Sequence, residues 1–268
     1  MKELGQARHI LGMRIERNRR TKTLRLSRSN YIQKMLKRFT MENAKPTSTP
    51  LLTTIRLSNR DSPSTEEKKQ NGKIPYPSVV GSIMYATVAT RPDLAHAVGV
   101  VSRYMSNPGR NHWEAIKHNL RYLKGAKDAR LTFGSNNSTG VEGYTDSDYA
   151  RNMDNQKSTS GYVFTYGGGA ISWGSKLQEC TALSTTEAEY IAALDTMKEA
   201  IWLHRLSANF SVKRRLNRPA PTIYCNSQSA IRLIRNTLSD GFITSESSSL
   251  RKISKFGRLI LRSISSIS

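Results

Sequence analysis

Asp146 stands in the string Tyr144-Thr145-Asp146-Ser147-Asp148, on a stretch whose neighbours are apolar or small. A carboxylate buried there is costly without a partner, so it needs a cation to bind or a backbone group to cap. Glu187 follows Ser184 by three residues, the spacing of a helical capping box. Glu187 also begins the series Ile191, Leu194, Met197, Ile201, which would place it at the top of a helix face packed on a sheet. There, near a strand carboxylate, it could bind a cation; cap and ligand both fit. Asn226, in Tyr224-Cys225-Asn226-Ser227-Gln228, lies at a strand-to-helix junction. It is neutral, and by itself suggests a helix N-cap.

These residues need elements to bring them together. Val141–Ser147 reads as a strand, and Gly161–Tyr166 and Ala170–Ser175 as two more, joined by Gly167-Gly168-Gly169. Ser184–Asn209 reads as a long amphipathic helix, Thr222–Cys225 as a short strand and Ser227–Asn236 as a helix. Three strands, a helix, a strand and a helix imply an α/β domain over residues 130–236. Upstream, residues 8–27 predict a hairpin turning at Asn18-Arg19-Arg20-Thr21. Asn30 with Gln33 can cap a helix from Tyr31 to about Thr40. Residues 43–77, with five prolines, read as linker. Residues 78–89 are helical in pattern, Pro92 opens a further helix, and Asn111 with Glu114 can cap another that carries Trp113, Ile116, Leu120 and Leu123. In residues 237–268 serine is abundant and the apolar pattern weak, which predicts a disordered tail.

Lys and Arg total 42 against 20 Asp and Glu, a formal charge of +22. Such an excess favours polyanionic partners, or is a solvated basic surface. It is uneven: residues 1–40 hold twelve basic side chains against Glu3 and Glu16, whereas residues 141–210 hold nine acidic groups against five basic ones. Within the arm, Arg14, Arg17, Arg19, Arg20, Arg25, Lys34, Lys37 and Arg38 are the candidates for gripping phosphate. Lys213, Arg214, Arg215 and Arg218 form a second basic group. Cys180 and Cys225 stand alone, which argues against a disulfide framework or a zinc site. No apolar run is long enough to span a bilayer and no secretory leader is visible. The expectation is an intracellular chain, cytoplasmic or nuclear, with no membrane partner.

A series of longer strings resembles the copia-type retrotransposon Pol polyprotein, most closely that of plant elements. YTDSD (Tyr144–Asp148), KSTSGYVF (Lys157–Phe164), GGAISW (Gly168–Trp173), ALSTTEAEYIA (Ala182–Ala192), KEAIWL (Lys198–Leu203) and QSAI (Gln228–Ile231) resemble its ribonuclease H domain. LGMRIER (Leu11–Arg17), YIQKMLKRF (Tyr31–Phe39), VGSIMYA (Val80–Ala86), TRPDLAHAVGVVSRYMSNPG (Thr90–Gly109), HWEAIK (His112–Lys117) and RYLKG (Arg121–Gly125) resemble the segment before it. The strings run in the family's order over roughly residues 1–236.

The resemblance implies a mainly helical reverse transcriptase thumb and connection remnant over residues 1–129. It implies a ribonuclease H-like domain over 130–236, with a mixed sheet of about five strands flanked by helices. The reaction implied is cleavage of the RNA strand of an RNA–DNA hybrid, with carboxylates holding two Mg²⁺ ions about 3.5–4 Å apart. The hybrid is gripped through phosphates and 2′-hydroxyls, and other Pol segments are possible partners. The family's first catalytic Asp falls on Asp146, its Glu on Glu187 and its second Asp on Asn226, leaving Asp146 and Glu187 as metal ligands. An amide supplies no negative charge, and the downstream His-Ile-Asp motif is absent; Glu246 lies near its spacing in unmatched surroundings. The expectation is therefore a degenerate ribonuclease H domain with weak Mg²⁺ binding and little or no cleavage, and no polymerase active site. A weakly active nuclease and a basic, non-catalytic nucleic-acid-binding module are the alternatives.

Overall fold

The computed structural model describes residues 5–52, 54–64, 74–134, 140–211, 220–239 and 260–263. The chain forms two compact units, 1–135 and 136–268.

The first unit holds a four-stranded antiparallel sheet, β1 (His9–Ile10), β2 (Met13–Asn18), β3 (Thr23–Ser27) and β4 (Arg130–Phe133), in that order. The β2–β3 turn forms because Asn18 Oδ1 accepts the backbone N–H groups of Arg20 (3.0 Å) and Thr21 (3.2 Å), the mimicry of a backbone turn that asparagine favours. Helices α1 (Ser29–Arg38), α2 (Tyr76–Thr90), α3 (Ala95–Ser102) and α4 (Arg110–Gly125) build the core. Ile32, Tyr76, Val79, Val80, Ile83, Leu94, Ile116 and Leu123 are fully buried in it. At the α2–α3 corner Arg91 is 1% exposed, and its guanidinium is held by both oxygens of Asp93 and by the carbonyl of Ala126.

Several expectations are corrected here. The break near residue 130 does not start the second unit: β4 pairs with β3, Leu26 opposite Leu131, and belongs to the first sheet. The segment read as linker is partly a strap. Leu57 is buried, its carbonyl accepts from Tyr104 Oη at 2.8 Å, and Lys124 Nζ donates to Ala44 O at 2.7 Å. Residues 65–73 of that segment lie outside the described residues. Two caps also differ. No side chain caps α1; the residue before it, buried Arg28, is anchored by donating to the carbonyls of Leu11 and Tyr85. At α4, His112 Nδ1 rather than Glu114 accepts the Gly109 N–H, while Asn111 reaches across to Asp61 at 2.7 Å. Gly109 is required there, since a Cβ would lie 1.7 Å from the Asp61 carbonyl oxygen.

The second unit is the mixed α/β sheet flanked by helices that the sequence predicts. Its strands are β5 (Glu142–Asp148), β6 (Thr159–Tyr166), β7 (Gly169–Leu177), β8 (Thr222–Cys225) and β9 (Ile260–Ser263), in the order β7-β6-β5-β8-β9. β7, β6 and β5 are antiparallel; β8 and β9 run parallel to β5. Helices α5 (Thr185–Ser211) and α6 (Gln228–Ser239) bury one sheet face, with Phe164, Met197, Ile223, Ile231 and Ile234 at its centre. Gly143 lets the Phe164 ring lie across β5, where a Cβ would come within 2.3 Å of it. On the opposite face Trp173, Val163, Tyr144 and Tyr224 are successive cross-strand partners, and the two tyrosine rings stack at 5.2 Å.

The tail expectation is corrected at two points, the first being that α6 runs on to Ser239. Residues 260–263 are strand β9, paired with β8 from Thr222↔Ile260 to Cys225↔Ser263. The free edge of β8 offers backbone donors and acceptors to any extended segment, so this pairing needs no strong local pattern. Residues 240–259 and 264–268 of the expected tail lie outside the described residues.

Candidate functional site

β5 occupies the middle of the second sheet and β8 lies parallel beside it, so the carboxyl ends of both strands lie side by side, the usual ligand position in such sheets. Asp146 projects from β5 there and is exposed. Asn226 follows the last residue of β8, and its Nδ2 donates to Asp146 Oδ1 at 3.1 Å. The amide is available because Ser227, not Asn226, caps α6: Ser227 Oγ accepts the Ala230 N–H at 3.2 Å. The N-cap reading of Asn226 is thus replaced by a contact between two of the three expected site residues.

Glu187 does not join them. Ser184 Oγ accepts its N–H at 3.1 Å, and its own Oε2 accepts the Leu183 N–H at 2.7 Å. The carboxylate is spent on the start of α5, the capping function that the spacing also allowed. Glu189 takes the inward position. It is buried, and it interacts with the backbone and hydroxyl of Ser147 and with Asp146. Its pKa is raised to about 7, by burial first and then by the Asp146 charge and hydrogen bond, with the Ser147 hydrogen bonds acting in opposition.

The signal for Glu189 was available in the spacing of small residues. Ala188, Ala192, Ala193, Thr196 and Ala200 are all buried, and Thr196 Oγ1 donates to Thr145 Oγ1 of β5 at 2.9 Å. This small-residue face brings α5 close to the sheet and carries Glu189 with it; of the series of larger residues, Met197 and Ile201 are buried in the core, while Ile191 and Leu194, nearest the site, are only partly buried. Gln178 fixes the approach from beneath, its Nε2 donating to Ser160 Oγ and to Ala188 O, both at 2.9 Å.

The site therefore holds two carboxylates and an amide. Among the described residues no group of three His, Cys, Asp or Glu side chains could hold a metal ion. A pair of divalent ions carries four positive charges, and two carboxylates offset at most half of them; the donor set does not fit a metal pair. Glu246 lies outside the described residues.

The basic candidates all belong to the first unit and are all exposed. Arg14, Arg17 and Arg25 lie on the β2–β3 hairpin, Arg19 and Arg20 at its turn, and Lys34, Lys37 and Arg38 on the outer side of α1. Glu16 partly offsets Arg14 (3.1 Å) and Arg130 (3.7 Å), surface pairs of small energetic weight. The second basic group, Lys213 to Arg218, lies outside the described residues. No described helix is long and apolar enough to cross a membrane.

No family model matches the chain. It is 55% identical over 239 residues to the retrovirus-related Pol polyprotein from transposon TNT 1-94 of Nicotiana tabacum, covering 89% of this chain and 18% of that one. The corresponding polyprotein from transposon RE2 of Arabidopsis thaliana is 35% identical over 236 residues, 88% of this chain and 16% of that one. A protein named secreted RxLR effector protein 161, from Plasmopara viticola, is 48% identical over 130 residues, 48% of this chain and 92% of that one. Among solved structures, LC11-RNase H1, isolated from compost, covers 47% of this chain and 85% of its own at 18% identity and a TM-score of 0.31. The chain thus spans less than a fifth of the Pol polyproteins it matches.

Proposed function

We propose, for a chain that is a relative of the retrovirus-related Pol polyproteins of plant transposons and matches one stretch of them, that it is a copia-type fragment. Its first unit is a reverse transcriptase thumb and connection remnant, and its second a ribonuclease H domain impaired in catalysis. The observation that carries this reading is the meeting of Asp146 and Glu189 at the end of the central strand, with Asn226 at the third corner. The family reaction is Mg²⁺-dependent cleavage of RNA in an RNA–DNA hybrid, in which clustered carboxylates hold the ions. Asp146 and Glu189 are the cation ligands of that ancestry, and Glu187 holds the helix start. The fragment works inside the cell, on nucleic acid and beside other Pol segments.

The purified chain, given a labelled hybrid and Mg²⁺, is expected to leave the RNA strand intact, because the charge needed for two ions is missing. Robust turnover that disappears in Asp146→Asn would refute the impairment. Asn226→Asp alone is not expected to restore full activity, since the downstream carboxylate motif is also absent.

A second reading, nucleic-acid binding without catalysis, is favoured by one observation: eight cations of the hairpin and α1 face solvent. Each neutralised phosphate contributes a slope of about −0.9 to log K against log salt on B-DNA. Weak, sequence-independent binding that fades with salt is expected, with a shallower slope in Arg19→Ala/Arg20→Ala. Binding insensitive to salt would count against it.

A further inference from the structure

We infer that Asn226 has taken the place of the cation: its amide ties Asp146 into a hydrogen-bonded cluster with Glu189 that neither needs nor holds a divalent metal ion. The inference rests on the proposed reading of Asp146 and Glu189 as ancestral cation ligands, but it concerns what this chain does with them.

Three observations support it. Asp146 Oδ1, an oxygen that would face a metal ion, already accepts the Asn226 N–H at 3.1 Å. An ion approaching there must displace that donor, and gains only a neutral oxygen in exchange if the amide turns over. Second, the amide has no competing task, since Ser227 caps α6 and leaves Asn226 free to face β5. Third, Glu189 is held on the other side by Ser147, so the two acids are fixed relative to each other by protein donors alone. Behind them Gln178 pins the Ala188 carbonyl, which fixes the α5 backbone one residue before Glu189. Glu189 Oε2 is buried without a hydrogen-bond partner in the protein. One ordered water with further polar partners satisfies such an oxygen without an ion. A site built this way is rigid in the absence of metal, whereas carboxylates clustered for metal repel each other until the metal arrives.

The test uses the full chain and two readouts independent of cleavage: the electron paramagnetic resonance signal of free Mn²⁺ during titration, and the melting temperature with and without Mn²⁺ or Mg²⁺. The wild type is expected to leave the Mn²⁺ signal undiminished and to melt at the same temperature in either metal. Asn226→Asp is expected to melt lower without metal, to bind Mn²⁺ on the order of tenfold or more tighter than the wild type, and to recover its melting temperature when metal is added. Asn226→Ala is expected to melt lower than the wild type and to gain nothing from metal. Wild-type binding of Mn²⁺ as tight as that of Asn226→Asp overturns the inference, as does an Asn226→Asp variant that metal leaves unchanged, or an Asn226→Ala variant as stable as the wild type. If Asn226→Asp does not fold, the wild-type titration and Asn226→Ala still decide. A wild type that binds Mn²⁺ but cuts nothing would sink this inference and leave the proposed function standing.

Discussion

Asp93→Ala is expected to cost about 3–5 kcal/mol of stability, the range for removing one partner of a buried ion pair. The reason is the position of Arg91, whose side chain is 1% exposed while Asp93 keeps 33%. Without Asp93 the guanidinium stays buried with the Ala126 carbonyl as its remaining hydrogen-bond partner in this corner, and Tyr122 Oη loses the acceptor it holds at 2.6 Å. Burial alone would raise the Asp93 carboxyl, but hydrogen bonds from Arg91 and Tyr122 and the charge of Arg91 outweigh it and hold the group below its ordinary value. A carboxylate with a depressed folded-state pKa contributes stability that is present above its unfolded pKa and is lost as pH falls through the folded one. The cost of Asp93→Ala should therefore shrink in strong acid. Urea unfolding of the full chain, followed by a probe of the first unit, gives the number. A loss below about 1 kcal/mol at neutral pH would mean that water reaches Arg91 and the corner is not a buried pair.

Stability of the second unit is expected to fall as pH rises from about 5 to 8, and Glu189→Gln to remove most of that slope. Folding raises the Glu189 pKa from its ordinary 4.5 to about 7. The folded state then binds the proton more tightly than the unfolded chain does. Its contribution is whole below about 4.5 and is lost as pH climbs through about 7. The full shift would correspond to roughly 3 kcal/mol, but Asp146 beside it is open to solvent, so about 1–2 kcal/mol is the expected size. Melting temperatures at pH 5 and pH 8 for wild type and Glu189→Gln supply the comparison; parallel slopes in the two proteins would eliminate Glu189 as the cause.

Much of the second unit was legible in advance because its elements are long and locally patterned. The strand Thr222–Cys225 appears with the predicted ends, and α6 starts within a residue of its expected position. What local pattern could not show depends on contacts distant in sequence. β4 reads as the start of a new domain by texture, yet its partner is β3, about a hundred residues earlier. His112 performs capping work expected of Glu114, held in place by the Ser58 carbonyl, while α1 has no side-chain cap and the residue before it, Arg28, is anchored by the distant Tyr85 carbonyl. At the site, Asp146 and Asn226, grouped in the sequence only by the family resemblance, meet because β5 and β8 are neighbours. Glu187 and Glu189 could be told apart only by which helix face approaches the sheet most closely, and near the site that face is lined by alanine and threonine rather than by the large residues that dominate a periodicity.

The pairing of β9 with β8 also sets an order of events. Hairpin contacts between β5, β6 and β7 close over short stretches of chain and can form early; β9 must return from far along the chain to reach β8, so its docking comes late. Until it arrives, β8 presents an open row of backbone donors and acceptors, with the half-buried Tyr224 beside it. That row is a template for an extended segment of another molecule as readily as for Ile260–Ser263. The vulnerability of this chain is therefore kinetic: at high concentration during synthesis or refolding, association through the β8 edge competes with closure of its own sheet.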